Sequence, residues 1–138
     1  MEKHNFVELA KNVIDIELEA VSGLKRFLNE DFEKACFLMM QCQGKVIVTG
    51  MGKSGHIAKK IAATLASTGT SAFYVHPGEA SHGDLGMMKA NDVILAISNS
   101  GETEEVISLI PVLKRQGSMI IGMSGNPQST LAKNSDTH

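Results

Sequence analysis

The chain has 138 residues, of which 43% are hydrophobic and 20% are charged, and its formal net charge is −2. This length predicts one domain whose core needs neither disulfides nor metal, and the charge provides no basic surface for nucleic acid or membrane. No apolar run approaches a membrane span, and the N-terminus shows no secretory pattern. Cys36 and Cys42 fall in one predicted helix and are expected to be unpaired, so we predict a cytoplasmic protein.

Two helices are predicted at the N-terminus. Apolar residues recur every three or four positions over residues 4–28. A second stripe widens this apolar face and consists of Val7, Ile14, Val21 and Leu28. The width predicts a helix that packs on its own domain and on a partner subunit, although a helix buried within a monomer would show the same pattern. Asp31 is the predicted N-cap of a second helix, from Phe32 to about Cys42, which ends before Gly44.

From residue 45 onward, apolar strands alternate with helices. The predicted strands are residues 45–49, 71–75, 92–98 and 118–124, and the predicted helices are residues 54–68 and 102–116. This alternation predicts a Rossmann-like, doubly wound parallel sheet with helices on both faces. Pro111 predicts a kink in the helix that contains it. Residues 127–138 predict a short helix that stops where another strand should begin, so we expect a four-stranded sheet that is incomplete at the C-terminus.

Three segments follow predicted strands, where parallel α/β sheets bind their ligands: GMGKSG (50–55), HPGEASHGD (76–84) and SNSGET (98–103). The first matches G-x-G-x-x-G, but no acidic residue ends the next strand to hold a ribose. A nucleotide-binding P-loop would need a glycine where Ile47 stands. What remains is an anion site at a helix N-terminus or a tight strand-to-helix turn.

The third segment concentrates hydrogen-bonding side chains at a strand-to-helix junction. Ser98, Asn99, Ser100 and Thr103 surround Gly101. Hydroxyls and free N–H groups suit the oxygens of a phosphate, whereas capping the following helix would need only one of these hydroxyls. We therefore expect the first and third segments to hold one phosphate between them.

The succession strand-GMGKSGH-helix and strand-SNSGET-helix resembles the sugar isomerase (SIS) domain. The intervening HPGEASHGDLGM resembles the D-arabinose 5-phosphate isomerases, and the resemblance runs from about Asn12 to the last residue. It implies an aldose–ketose isomerase that interconverts D-ribulose 5-phosphate and D-arabinose 5-phosphate through a cis-enediolate. The pathway implied is 3-deoxy-manno-octulosonate synthesis for lipopolysaccharide or capsule. The resemblance also implies no cofactor and a homo-oligomer (a tetramer), and the net charge already argues against a nucleic-acid or membrane partner.

The resemblance assigns catalytic roles to Lys53, His82 and Glu105. The implied phosphate- and substrate-binding residues are Gly52, Ser54, Gly69, Thr70, His76, Ser98, Asn99, Ser100, Gly101 and Thr103. Independently, Glu105 heads an apolar stripe along its helix, so we expect it to be partly buried, with a raised pKa that suits proton transfer. Glu102 and Glu104 are interpreted as acids that favour the first helical turn whatever the function.

His76 and His82, together with Glu79 and Asp84, could also bind zinc adventitiously, or the histidines could simply satisfy backbone groups of their loop. Family members carry a further glutamate and histidine beyond residue 138, and often a pair of CBS modules. We therefore expect residues 1–44 to form helices, residues 45–138 to form an incomplete SIS domain, and this chain alone to lack groups that activity could require.

Two alternatives stay open at this point. One is another SIS isomerase, such as a phosphoheptose or 3-hexulose-6-phosphate isomerase, against which HPGEASHGD argues. The other is a sugar-phosphate-sensing module, as in transcriptional regulators that contain this domain. That class usually has a helix-turn-helix arm, and the chain has room only for a packing helix before residue 42.

Overall fold

A computed structural model of the chain describes residues 5–80 and 83–138. Its helices are α1 (Phe6–Gly23), α2 (Glu30–Met40), α3 (Gly52–Ser67), α4 (Pro77–Ala80), α5 (Glu104–Gln116) and α6 (Thr130–Asn134), with 3-10 turns at Leu24–Phe27 and Asp84–Met87. Its strands are β1 (Val46–Gly50), β2 (Ala72–Val75), β3 (Val93–Ile97) and β4 (Met119–Met123). They form one parallel sheet in the order β2-β1-β3-β4, which confirms the predicted doubly wound fold.

The core lies on both faces of this sheet, because consecutive residues of a strand point to opposite faces. On one face, Ile47 and Ile94 pack with Leu109 and Leu113 of α5 and with residues of α4 and α6. On the other face, the neighbouring strand residues pack against α2 and α3. Burial on both sides explains why the strands are almost continuously apolar in sequence.

The N-terminal helices differ from the prediction. Helix α1 ends at Gly23, where the chain tightens into a 3-10 turn, so the periodic segment is not one helix. No residue of α1 is buried, and the expected packing on its own domain is therefore not seen. The cap of α2 is Asn29 rather than Asp31, because Asn29 has the extended backbone and its side chain accepts the Phe32 amide at 3.1 Å. Helix α2 does pack on the core, through residues that include Leu38.

The C-terminal half follows the predicted elements closely. Helix α5 runs through Pro111 as one assigned helix, and the kink expected there stays a prediction. After α6, Thr137 forms a parallel bridge with Ile121, and its carbonyl accepts the Gly122 amide at 2.9 Å. Backbone pairing beside β4 thus begins where the sequence predicts a further strand. Both cysteines are free, as predicted, and the helices of the described residues include none with the length and apolar character of a membrane span.

Candidate functional site

The strand order reverses between β1 and β3, and this reversal positions the site. From β1 the chain crosses through α3 to β2 on one side, whereas β3 lies on the other side of β1 and leads through α5 to β4. Helices α3 and α5 consequently cover opposite faces of the sheet. Their first turns diverge from adjacent strand ends, and ligands of such sheets bind in the crevice that results. The segments 50–55 and 98–103 flank this crevice.

The three glycines of the first segment are explained by close packing and turn geometry. A Cβ at Gly50 would lie 2.8 Å from the Ile97 carbonyl oxygen, and one at Gly55 would lie 2.7 Å from the Gly50 carbonyl oxygen. Gly52 has a φ of 53°, which side-chain-bearing residues rarely adopt. The turn brings α3 close to β1 and β3, as expected for a tight strand-to-helix turn. It also places Lys53, which is exposed, and Ser54, which is partly buried, in the first turn of α3.

Tyr74 supports this turn from the edge strand β2, a role that the sequence analysis missed. Its hydroxyl donates a hydrogen bond to the Gly50 carbonyl at 2.9 Å, and the Lys59 ammonium lies 5.0 Å from the ring centroid. Burial, and then the negative charge of Glu79, raise the pKa of the Tyr74 hydroxyl. Tyr74 thus stays protonated and able to donate at neutral pH.

The segment 98–103 is closed by its own hydroxyls. Ser98 is only 2% exposed, its Oγ lies 2.7 Å from Thr103 Oγ1, and it also accepts the Gly101 amide at 3.0 Å. Gly101 makes the turn possible with a φ of 69°. Ser100 Oγ accepts the Glu102 amide at 3.1 Å, outside helix α5. Ser98 and Thr103 therefore shape the loop, and the Ser100 hydroxyl keeps its own proton to donate.

The start of α5 is not capped by any of these hydroxyls. Thr103 occupies the N-cap position, but its side chain accepts no amide of the helix. Within the described residues, the amides of Glu104 and Glu105 make no hydrogen bond. The capping alternative for Ser100 is thus not what the structure contains. Unpaired amides at a helix N-terminus, beside a free hydroxyl donor, are suited to an anion.

Two of the acidic residues near this loop lie differently from the predictions. Helix α5 begins at Glu104, so Glu102 lies in the loop and not in the first helical turn. The predicted partial burial of Glu105 is wrong for the described chain, in which Glu105 is exposed. Leu109 and Leu113 of the same stripe are buried under the sheet. Val106 in the same first turn is buried in the core, so only the side of this turn that carries Glu105 lies in solvent.

The remaining predicted residues are only partly brought together. His76 follows β2, is partly buried, and its Nδ1 accepts the Gly78 amide at 3.2 Å, as a loop-locking histidine would. His82 lies outside the described residues. Gly69 and Thr70 connect α3 to β2 at the amino edge of the sheet, opposite the phosphate segment, so this single chain does not bring them to it. The described residues contain no cluster of three or more metal-ligating side chains, and the His76–His82 zinc pair stays a prediction.

A cavity of about 250 Å³ lies next to the crevice, beyond the carboxyl end of β2. Its lining is largely charged or polar and includes Lys59, Tyr74, His76, Glu79, Asp84 and Met87. Because Tyr74 also bonds to Gly50, one wall of the cavity is joined directly to the glycine-rich turn. The described residues of the segment HPGEASHGD, 76–80 and 83–84, therefore lie beside the crevice that the other two segments flank.

A doubly wound sheet with a hydroxyl-rich loop at a helix N-terminus defines an α/β domain suited to binding an anion. The SIS domain model matches residues 39–138, so the chain belongs to the SIS domain family. It is 59% identical over 134 residues to the arabinose 5-phosphate isomerase KdsD of Yersinia pestis. It is 55% identical over 129 residues to KdsD of Pseudomonas aeruginosa. These alignments cover 97% and 94% of this chain but 41% and 40% of the two relatives.

Among solved structures, a protein of E. coli CFT073 in complex with arabinose 5-phosphate superposes with a TM-score of 0.90. The two chains are 43% identical, and the match covers 99% of this chain and 73% of that one. The members of this family that are similar to the chain thus include arabinose 5-phosphate isomerases. The chain spans 41% of the length of the Yersinia pestis relative.

The Tyr74–Gly50 hydrogen bond can be tested by mutation. Tyr74→Phe removes the bond to Gly50, which should lower the free energy of unfolding by about 1 kcal/mol near neutral pH. Because the folded-state pKa is raised, the tyrosine contributes stability below its unfolded pKa of about 10 and loses it as the pH rises through the folded pKa. The difference between the two proteins in urea unfolding should therefore shrink at alkaline pH.

The 138-residue chain has one tyrosine and no tryptophan, so phenolate absorbance reports Tyr74 alone in a pH titration. Phe73→Leu, a change at the neighbouring residue without loss of a hydroxyl, serves as the control. A tyrosine that ionises at its ordinary pH, or equal stability of wild type and Tyr74→Phe near neutral pH, would contradict the assigned hydrogen bond.

Proposed function

We propose that the complete protein is an aldose–ketose isomerase that interconverts D-ribulose 5-phosphate and D-arabinose 5-phosphate. The observation that carries the proposal is the loop 98–103 at the reversal of strand order, where Ser100 and the first amides of α5 are available to an anion. The identity of 59% to a KdsD arabinose 5-phosphate isomerase supports this choice of substrate over other phosphosugars. An exchange of a proton between C1 and C2 needs a proton carrier and stabilisation of the enediolate.

In this proposal the substrate phosphate occupies the crevice between α3 and α5. The Ser100 hydroxyl and the amides at the start of α5 donate to its oxygens from one side, and Ser54 donates from the first turn of α3. Ser98 and Thr103 contribute by holding the loop closed. The positive ends of two helices favour a dianion at this position, so no metal or nucleotide is needed to hold it.

Ser100→Ala should therefore weaken sugar-phosphate binding. A hydrogen bond to a charged group contributes roughly 1.5–3 kcal/mol, which corresponds to about a 10-fold or larger rise in Kd. Calorimetric titration of the complete protein with D-arabinose 5-phosphate measures this. Ser67→Ala, at the opposite edge of the sheet, is the control and should bind like wild type. Unchanged affinity in the Ser100 variant would exclude this residue from the phosphate site.

The proton carrier in the proposal is Glu105, and Lys53 stabilises the charge that develops on the enediolate or the phosphate. Both lie in the first turns of helices that leave the crevice, Glu105 on α5 and Lys53 on α3. Because Glu105 is exposed in this chain, the covering that would desolvate it has to come from another segment of the complete protein or from another subunit. On the resemblance alone, His82 acts beside them and His76, Gly69 and Thr70 contact the sugar.

Glu105→Gln should lower turnover by about 10²–10⁴-fold with little change in affinity, because the amide keeps the shape but cannot exchange a proton. The direct readout is exchange of solvent deuterium into C2 of the sugar phosphate, followed by NMR. Glu104→Gln changes the adjacent exposed acid in the same turn and should exchange normally. If Glu105→Gln exchanges at the wild-type rate, the base is another group.

We also propose that α1 packs against other subunits in a homo-oligomer, a tetramer. Within the described residues α1 is uncovered, and Phe6, Ile14 and Ile16 are 75%, 59% and 65% exposed. A helix with this much apolar surface is expected to bury it in an interface. Val7, Ile14 and Val21 are the residues proposed to lie near that interface.

Ile14→Glu should dissociate the complete protein to a smaller species in light scattering, because it would bury an unpaired charge in the interface. Asn12→Asp, a charge change at an exposed position of the same helix, should leave the mass unchanged. A wild-type protein that is a folded monomer at micromolar concentration would contradict the proposed assembly.

The resemblance further supports a cytoplasmic location and a role in 3-deoxy-manno-octulosonate synthesis, and both remain parts of this proposal.

A further inference from the structure

The loop 98–103 is hydrogen-bonded to the last residue of β4 and to the segment that follows it. Three of the fastening bonds join backbone groups: the Ser98 amide to the Met123 carbonyl at 3.0 Å, the Gly125 amide to the Asn99 carbonyl at 2.9 Å, and the Leu131 amide to the Gly101 carbonyl at 3.0 Å. Gly101 also packs so closely on Ser129 that a Cβ there would collide with the Ser129 side chain. The conformation of the loop therefore depends on the start of α6.

A fourth bond differs from these because a charged side chain makes it. The Glu102 carboxylate accepts the amide of Thr130, the first residue of α6, at 2.7 Å. Ser129, the N-cap, accepts the amide of Ala132 and leaves the Thr130 amide to Glu102. The hydrogen bond from Thr130, assisted by the positive charge of Lys133, holds the pKa of the exposed Glu102 carboxyl below its usual range.

The backbone of Glu102 bonds to the phosphate site itself. Its amide donates to Ser100 Oγ at 3.1 Å, and Ser100 is the hydroxyl proposed to contact the phosphate. Glu102 thus connects Ser100, through its backbone amide, to Thr130, through its carboxylate, and Thr130 lies 28 residues after Glu102 in the sequence. We propose that Glu102 is a positioning residue for the sugar-phosphate site, which fixes Ser100 and the first amides of α5 by anchoring the loop to α6. This inference rests on the proposed function.

The sign of the electrostatic effect makes the inference testable. A carboxylate two residues from Ser100 repels a phosphate, so removal of its charge alone should leave anion binding unchanged or tighten it. Loss of an anchor should instead weaken anion binding, because the donors no longer keep the geometry that the phosphate needs. Glu104 carries the same charge close to the same site, is exposed, and its side chain makes no hydrogen bond or ion pair within the described residues.

The experiment compares the complete wild-type protein with Glu102→Ala, Glu102→Gln and Glu104→Ala by calorimetric titration with inorganic phosphate and with D-arabinose 5-phosphate. We expect Glu102→Ala to raise both Kd values about 10-fold, equivalent to about 1.4 kcal/mol. Glu102→Gln, which keeps an acceptor oxygen, should lie between Glu102→Ala and wild type, and Glu104→Ala should bind as tightly as wild type or more tightly. In kinetics, the rise should be in KM more than in kcat.

Hydrogen exchange of the Thr130 amide provides a readout without ligand. Exchange should be faster in Glu102→Ala than in wild type and unchanged in Glu104→Ala. Equal phosphate affinities of Glu102→Ala and Glu104→Ala would overturn the inference while leaving the proposed function intact. A folded wild type that binds neither phosphate nor sugar phosphate would instead refute the proposed function, and the inference with it. If Glu102→Ala does not fold, the Thr130 amide exchange rates of Glu102→Gln and Glu104→Gln are compared instead. An exchange rate that is no faster in Glu102→Gln than in Glu104→Gln would overturn the inference.

Discussion

The reversal of strand order between β1 and β3 is the constraint on which the rest of the structure depends. Two neighbouring parallel strands send their helices to opposite faces, and this requires both strands to be buried on both sides. It also leaves two helix N-termini beside one crevice, where their positive ends reinforce each other toward an anion. Gly50 and Gly55 follow from the same constraint, because α3 can begin this close to the sheet only where no Cβ intervenes.

Around the crevice, the polar side chains divide into those that shape the site and those that remain available to a ligand. Ser98 is buried and bonded within its loop, whereas Ser100 keeps a proton to donate at the surface. The proposed phosphate would bind without a large reorganisation, because the loop is already closed and is hydrogen-bonded to the end of β4 and the chain after it. Glu105, the proposed proton carrier, is exposed in this chain, so the proposal requires other parts of the complete protein to desolvate it.

Much of this could be predicted from the sequence, because periodicity and turn residues are local signals. The strand at Val93–Ile97 and the helix stop at Gly117 were found in this way. Periodicity also placed Glu105 on the buried face of its helix, but the residues buried there are Val106, Leu109, Ile110 and Leu113, and spacing alone cannot tell that this face stops short of Glu105. The Tyr74–Gly50 hydrogen bond joins residues 24 positions apart, and the Glu102–Thr130 hydrogen bond joins residues 28 positions apart. Local sequence patterns cannot predict such contacts.

The most direct test of the account is incubation of the complete protein with D-ribulose 5-phosphate in deuterated water, monitored by NMR. D-Arabinose 5-phosphate should form and deuterium should enter at C2, because the proposed site holds the phosphate in the crevice while a proton moves between C1 and C2. A folded, complete protein that leaves D-ribulose 5-phosphate unchanged, or converts it to a different sugar phosphate, would contradict the account.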